Sequence, residues 1–369
     1  MSKKGNKRKI AYDTIIQQRT DRLKKSQLPV IGIDIGSSYI KVVQMKNKKV
    51  IKCGMEALPE GMINQGRIEA PAQLAEVIKK LLKNSKISGN ECCICLSGNE
   101  IVVRELKLPE MDVAQIMENI NHEITSFLPM NQEEYCIDYK ILEYLPPQEG
   151  TLGKLRIMVA AVPNNLVQAY IDTLKLIKLK TVYVDVAPNV FSKLTKQLTI
   201  QGALQEHMNN IGIIDFGAYS TNVMIVKDLN YFLHKSITNG GDYLTSQIAK
   251  KQNIDNMEAE EYKRKINFFE NNFHNNDYLY VKNYVDYQIN DIERTIDFFK
   301  NRNNQIGIDT LYITGGGSLL KGLPEYLKEH FNVEVTPLTS ILRQLRKSDE
   351  SMQSMAFYSQ AIGVTLREE

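Results

Sequence analysis

Two short segments, far apart in the chain, carry residue types that can hold a phosphate chain and its counter-ion. The first runs Val30 to Ile35 into Gly36, Ser37 and Ser38, with Asp34 two residues before the glycine. The second runs Ile211 to Phe216 into Gly217, Ala218, Tyr219 and Ser220, with Asp215 in the same place. A phosphate needs backbone N–H groups converging on it, and only small residues let the backbone approach that closely. Gly36, Ser37 and Ser38 could supply such a turn from one side, and Gly217, Ala218 and Ser220 from the other. Alternation from Ser37 puts Tyr39 and Lys41 on one strand face. From there the Lys41 ammonium either reaches back to the phosphates or stays an exposed strand lysine. Asp34 and Asp215 together suit Mg²⁺, which takes one or two carboxylates plus phosphate oxygens and keeps several waters.

One strand ending in Asp-x-Gly is commonly a plain reverse turn. Here the flanks repeat as well. Tyr39 to Met45, a turn over 46–49 and Val50 to Leu58 follow the first copy; Thr221 to Lys227, a turn over 228–230 and Tyr231 to Ile237 follow the second. This predicts a duplicated β-β-β unit with a nucleotide in the cleft between the copies. A third glycine turn, Gly315, Gly316 and Gly317 with Ser318, lies between a buried strand (Thr310 to Thr314) and a predicted helix (Leu319 to His330). Glycines at such a junction bring the backbone close to a ligand, and this turn is the expected floor under an adenosine. Gly240 and Gly241 open a further helix-like stretch, Asp242 to Lys251.

Between the two copies, Val113, Ile116, Met117, Ile120, Ile124, Phe127 and Leu128 trace one helix stripe, with Asp112 to cap it and Pro129 to stop it. The order strand, helix, strand, strand, helix, strand is expected across 91–186. Another helix is expected from Val281 to Phe299.

The ordered motifs resemble those of the actin, heat-shock-chaperone and sugar-kinase superfamily. Asp34-Ile35-Gly36-Ser37-Ser38-Tyr39-Ile40-Lys41 is similar to its first phosphate motif, and Asp215-Phe216-Gly217-Ala218-Tyr219-Ser220-Thr221 to its second, although Tyr219 stands where small residues are usual. Gly240-Gly241-Asp242-Tyr243-Leu244-Thr245 resembles a segment of the division protein FtsA and of the type IV pilus assembly family PilM. Ala259-Glu260-Glu261-Tyr262-Lys263 resembles their stretch near base and ribose, which implies roles there for Glu260 and Lys263. The similarity covers roughly 29–369.

The resemblance implies an α/β fold with an α+β insert: an actin-like, ribonuclease-H-like duplicated two-lobe ATPase fold carrying an inserted subdomain of the PilM and FtsA type. It divides the chain into a basic extension (1–28), the first lobe (29–90 and 184–210), the insert (91–183), the second lobe (211–250 and 305–345) with its outer part (251–304), and a C-terminal helix returning to the first lobe (346–369). It implies ATP and Mg²⁺ as ligands, with weak or no hydrolysis. Asp185 stands near the position from which a side chain orients the attacking water, or else caps the helix before Pro188. It also implies a partner, the cytoplasmic N-terminal peptide of a PilN-type inner-membrane protein, docked in a nucleotide-dependent manner, and contact with other pilus components. Self-association stays open. So do an FtsA-like membrane-associated filament scaffold and, with less support, a small-molecule kinase.

Composition fits these expectations. The chain has 369 residues, 43% hydrophobic, with net charge +3, enough for two or three domains. Residues 1–28 carry nine Lys or Arg against two Asp, either a solvated end or a site for acidic lipid headgroups; no nucleic acid is expected. No apolar run approaches the ~18 residues that span a bilayer, so a cytoplasmic protein is expected, peripheral to the inner membrane through its partner. Of the five cysteines, Cys92, Cys93 and Cys95 share one strand-like run and Cys53 and Cys136 are isolated. With His scarce, a zinc site is not expected.

Overall fold

The computed structural model describes residues 30–129, 131–148, 152–204, 208–267, 276–345 and 355–366. The basic segment 1–28 and the stretch 346–354 lie outside the described residues.

Two five-stranded sheets form the frame. The first is built from β1 (Val30–Ile35), β2 (Tyr39–Lys46), β3 (Lys49–Ala57), β6 (Glu91–Leu96) and β10 (Lys180–Val186). The second is built from β11 (Asn210–Phe216), β12 (Thr221–Lys227), β13 (Asn230–Ile237), β14 (Thr310–Thr314) and β15 (Glu334–Pro337). Their orders are β3-β2-β1-β6-β10 and β13-β12-β11-β14-β15. In each, three strands form an antiparallel meander and two more run parallel to the first. The repeat reaches the register. Asp34 lies opposite Lys41 and beside Cys95; Asp215 lies opposite Asn222 and beside Thr314.

Alternation along the strands decides what faces the cleft. Ile31, Ile33 and Ile35 join the outer core of the first lobe, as Ile214 and Phe216 join that of the second. Val30, Ile211 and Ile213 join a core between the sheets, and Asp34 and Asp215 share their faces. That inner core is filled by α4 (Ala187–Ile200), buried almost throughout from Ala187 to Leu198, and by α10 (Ser359–Gly363). Gly32 is where α10 presses on β1: a Cβ there would fall inside the Ala361 carbonyl.

The outer face of the first lobe carries a small hairpin, β4 (Ile63–Asn64) and β5 (Arg67–Ile68), with α1 (Pro71–Asn84) and α3 (Asn164–Leu176). Ile78, Leu166, Tyr170 and Leu174 fill its core. A separate antiparallel sheet, in the order β7-β9-β8 (Val102–Pro109, Lys154–Pro163, Tyr135–Leu145), packs on α2 (Val113–Thr125) through Ile116, Ile120, Ile124 and Ile157. Within the span 91–183, β7 to β9 form a sheet of their own, which also packs on the first lobe through Val103, Met158 and Val162. β6 and β10 complete the first sheet, and α3 packs on it, because their apolar faces match the lobe core.

The second lobe's outer part comprises α5 (Gly241–Gln252), α6 (Asn256–Lys265) and α7 (Asn276–Arg302). Val281, Val285, Ile289, Ile292, Ile296 and Phe299 of α7 are buried against the sheet. The helix expected from Leu319 begins later, as α8 (Leu323–Phe331). Gly322 takes φ +79°, a left-handed break, and Pro324 then opens the helix. A short α9 (Leu338–Leu342) follows β15.

Candidate functional site

The cleft between the sheets gathers most of the predicted residues. Asp34 and Asp215 end the central strands and are 5% and 7% exposed. Lys41 Nζ pairs with Asp34 Oδ2 at 3.1 Å, so the lysine faces the cleft rather than solvent. Gly36 N–H donates to the Tyr39 carbonyl at 3.0 Å, and a Cβ on Gly36 would stand 2.9 Å from the Lys41 ammonium. The second turn repeats the bond: Gly217 N–H donates to the Ser220 carbonyl at 3.1 Å.

The first amides of α5 hold this second turn. Gly240, Gly241 and Asp242 donate to the carbonyls of Tyr219, Gly217 and Ala218 at 2.9, 3.0 and 2.9 Å. A Cβ on Gly240 would meet Ala218 O at 2.5 Å and Ser220 N at 2.6 Å, both backbone. Lys263 Nζ donates to the Gly241 carbonyl at 3.2 Å and to Thr245 Oγ1 at 2.9 Å, and pairs with Glu260 Oε2 at 2.5 Å. Burial opposes the Glu260 charge, but Lys263 beside it holds that carboxyl below its ordinary range. The Gly315 turn lies against the second carboxylate. Gly315 takes φ +80°, a Cβ there would overlap Asp215 and Phe216, and Ser318 Oγ closes the turn on the Gly315 carbonyl at 2.7 Å.

The lobes touch across the cleft. Ser38 Oγ donates to Asp242 Oδ1 at 3.2 Å. Asn99 receives Ser236 Oγ at 3.1 Å and donates to the Tyr219 hydroxyl at 3.4 Å. Arg264 Nη2 donates to the Tyr39 hydroxyl at 3.3 Å. Deeper in, Cys95 Sγ donates to Gln360 Oε1 at 3.3 Å, and Gln360 Nε2 donates to Asp215 Oδ2 at 2.7 Å. Burial pushes the Cys95 thiol well up, which keeps it a donor. Asp215 is pushed up to about 6, first by burial and then by the Asp34 charge, against Lys41 and the Gln360 bond. The Asp34 charge adds to the cost of ionising Asp215, and a cation beside it would lower that cost.

Thr221 stands off the cleft. It shares a face with Val223 and Ile225, which pack into the outer core. Asn222 takes the inner position, opposite Asp215 as Lys41 is opposite Asp34. The repeat held that signal, since each lies seven places after its aspartate. Asn222 Nδ2 donates to Ser220 Oγ at 3.3 Å, and His234 Nε2 sits 3.3 Å from Asn222 Oδ1. Burial pushes His234 down to about 4, so it is neutral here and donates through Nε2. Asp242 and Gln360 were also not in the predicted set; neither belongs to a repeated motif.

Asp185 lies beside Cys95, so Asp34, Cys95 and Asp185 form one row across three parallel strands. It forms a buried ion pair with Lys193 at 2.7 Å. Among the described residues, no group of three or more His, Cys, Asp or Glu forms a metal cage. Cys92 and Cys95 point to opposite faces of β6. Two facing carboxylates and glycine turns that a Cβ would fill fit a hydrated Mg²⁺ on a phosphate chain.

Comparison with known proteins gives the family and the fold. A family profile described as type IV pilus assembly protein PilM matches residues 32–369. A solved PilM-PilN type IV pilus biogenesis complex is similar with TM-score 0.80 at 24% identity, over 92% of this chain and 98% of that one. MreB5 of Spiroplasma citri bound to AMPPNP gives 0.51 at 12% identity, over 87% and 94%. The ethanolamine utilization protein EutJ from Carboxydothermus hydrogenoformans gives 0.50 at 13%, over 97% of each chain. The fold is actin-like.

Proposed function

The chain belongs to the type IV pilus assembly protein PilM family, and from that premise we propose that it is a nucleotide-binding adaptor of the pilus assembly machine. It would sit at the cytoplasmic face of the inner membrane by binding the N-terminal peptide of a PilN-type protein. No helix among the described residues is long and apolar enough to cross a membrane, so membrane placement would come from such a partner. The PilM-PilN complex among the similar structures supports the partner class.

The observation that carries the nucleotide reading is the pair Asp34 and Asp215, at equivalent register positions of two repeated sheets, buried toward one cleft. ATP with Mg²⁺ would supply the missing positive charge between them. Asp34 and Asp215 would hold the metal through its waters, Lys41, Ser37, Ser38 and the turns at Gly36 and Gly217 would hold the phosphates, and Glu260, Lys263 and the Gly315 turn would border the nucleoside. Lobe closure around the ligand would then set the shape presented to the partner.

Calorimetry tests this in three titrations: ATP with Mg²⁺, ADP with Mg²⁺, and a PilN-type peptide with and without each nucleotide. The reading expects nucleotide binding and tighter peptide binding in the ATP state. Equal peptide affinity in all states removes the switch; no nucleotide binding at all removes the cleft assignment.

A further inference from the structure

We infer that Lys193 locks Asp185 out of the cleft chemistry, so that the chain holds a nucleoside triphosphate instead of turning it over; this rests on the nucleotide reading above. Asp185 shares a row with Asp34, two strand spacings away at about 4.8 Å each, on the face toward the cleft. A carboxylate there could orient a water and take its proton. To do so it needs a free acceptor position, and an ionised carboxylate offers about four.

Both oxygens are crowded by nitrogen donors and by the Lys193 ammonium. Oδ1 receives Val186 N–H at 2.8 Å and Asn189 Nδ2 at 3.0 Å. Oδ2 receives the same Nδ2 at 3.1 Å, and Lys193 Nζ lies 2.7 Å from it as an ion pair without hydrogen-bond alignment. The Asn189 amide cannot turn its oxygen inward without setting it against the carboxylate. Its Oδ1 already receives Lys140 Nζ at 3.3 Å. Lys193 has nowhere else to go. It is 4% exposed, and its ammonium sits 5.0 Å above the Tyr183 ring. Freeing Asp185 would therefore leave a lone buried ammonium. Asp34 and Asp215 differ: among the described residues, their side chains accept from Lys41 and from Gln360 respectively, and each keeps acceptor positions for water.

Removing the ammonium should open one position. Water could then attack the terminal phosphorus: the new P–O bond forms as the bond to the nucleoside diphosphate oxygen breaks, and the water proton passes to Asp185 and on to solvent.

The test uses the full chain with Lys193→Gln and with Lys193→Gln/Asp185→Asn. Without nucleotide, Lys193→Gln should gain thermal stability as pH falls from 8 to 6, because the unpaired carboxylate takes up a proton; the double variant should not. With ATP and Mg²⁺, turnover in Lys193→Gln should rise about tenfold or more, fall back in the double variant, and leave ATP affinity within about threefold of native, since Lys193 holds no predicted ligand contact. Native-like ATP binding with no gain in turnover overturns the lock and leaves the nucleotide reading standing. Absence of ATP binding by the native chain overturns both. Should Lys193→Gln not fold, Lys193→Met removes the ammonium while keeping an apolar stem in its buried place. The same gain is then expected, and no gain overturns the lock.

Discussion

Asp215 sits under two opposing demands. Burial and the neighbouring Asp34 push its carboxyl from 3.8 up to about 6, while Gln360 and Lys41 favour the charge. A folded-state value above the unfolded one means that, between pH 4 and 6, the native chain holds a proton the unfolded chain has lost. Stability therefore falls as pH rises through that window, by about 3 kcal/mol in all, and stays at the lower level above it. Asp215→Asn should remove this pH dependence and raise the melting temperature of the nucleotide-free protein at pH 7.5 by about 5 °C. The same variant should lose Mg²⁺–nucleotide binding in calorimetry. A variant less stable than native at pH 7.5 would show that the charge is not the cost. Most of the site could be read from the sequence because repeated turns announce themselves. Asn222 was within reach too, by carrying the Asp34-to-Lys41 spacing to the second copy. Gln360 and Lys193 were not. They reach the cleft from helices whose approach depends on packing between distant segments, which no local pattern encodes.

At the scale of elements, the β7-β9-β8 sheet has its own small core, and its middle strand carries Arg156. That side chain is 11% exposed and pairs with Glu105 at 2.8 Å and Glu143 at 2.6 Å, one on each flanking strand. Arg156→Met leaves the Glu105 carboxylate without its cation, while Glu143, 46% exposed, is taken up by solvent. Leaving one such group unpaired costs about 1–3 kcal/mol. Hydrogen exchange should speed up by orders of magnitude in β7 to β9, less in β1, which shares a core with Val103, Met158 and Val162, and hardly at all in β11, whose core is separate. Uniform acceleration across all three sheets would contradict that separation. Gly240→Ala tests the other kind of dependence: its Cβ would collide with backbone at 2.5 and 2.6 Å, so the second phosphate turn should shift and nucleotide affinity should fall at least about tenfold in calorimetry, by loss of positioned groups. Periodicity located most of these elements but missed β7 (Val102–Pro109), and it could not tell that β6 pairs into the first sheet. A strand's sheet partners are set by tertiary fit, and an apolar run such as Glu91 to Leu96 looks the same in either sheet. The late start of α8 has a plainer cause, since Gly322 and Pro324 both stood in the sequence and mark the boundary.

For the whole molecule, the lobes meet at the cleft mouth through few polar contacts, among them Ser38 with Asp242 and Asn99 with Tyr219 and Ser236. The Ser38–Asp242 contact is exposed and adds little stability, as expected of such pairs. Ser38→Ala/Asn99→Ala should leave the melting temperature nearly unchanged yet widen the nucleotide-free molecule in small-angle scattering. ATP with Mg²⁺ should bring it back to the native dimensions. An unchanged radius of gyration without ligand would mean that the inner core alone sets the closure. That inner core has a consequence for biogenesis. The first strand is roofed by α10, with Gly32 against Ala361, at opposite ends of the described chain. While the ribosome is still at work, the part of the inward surface that α10 covers on β1 therefore stays bare until residues 359–363 have emerged. Contacts of such long sequence separation form late and slowly, and a cell making this protein must shield that greasy surface from its neighbours in the meantime.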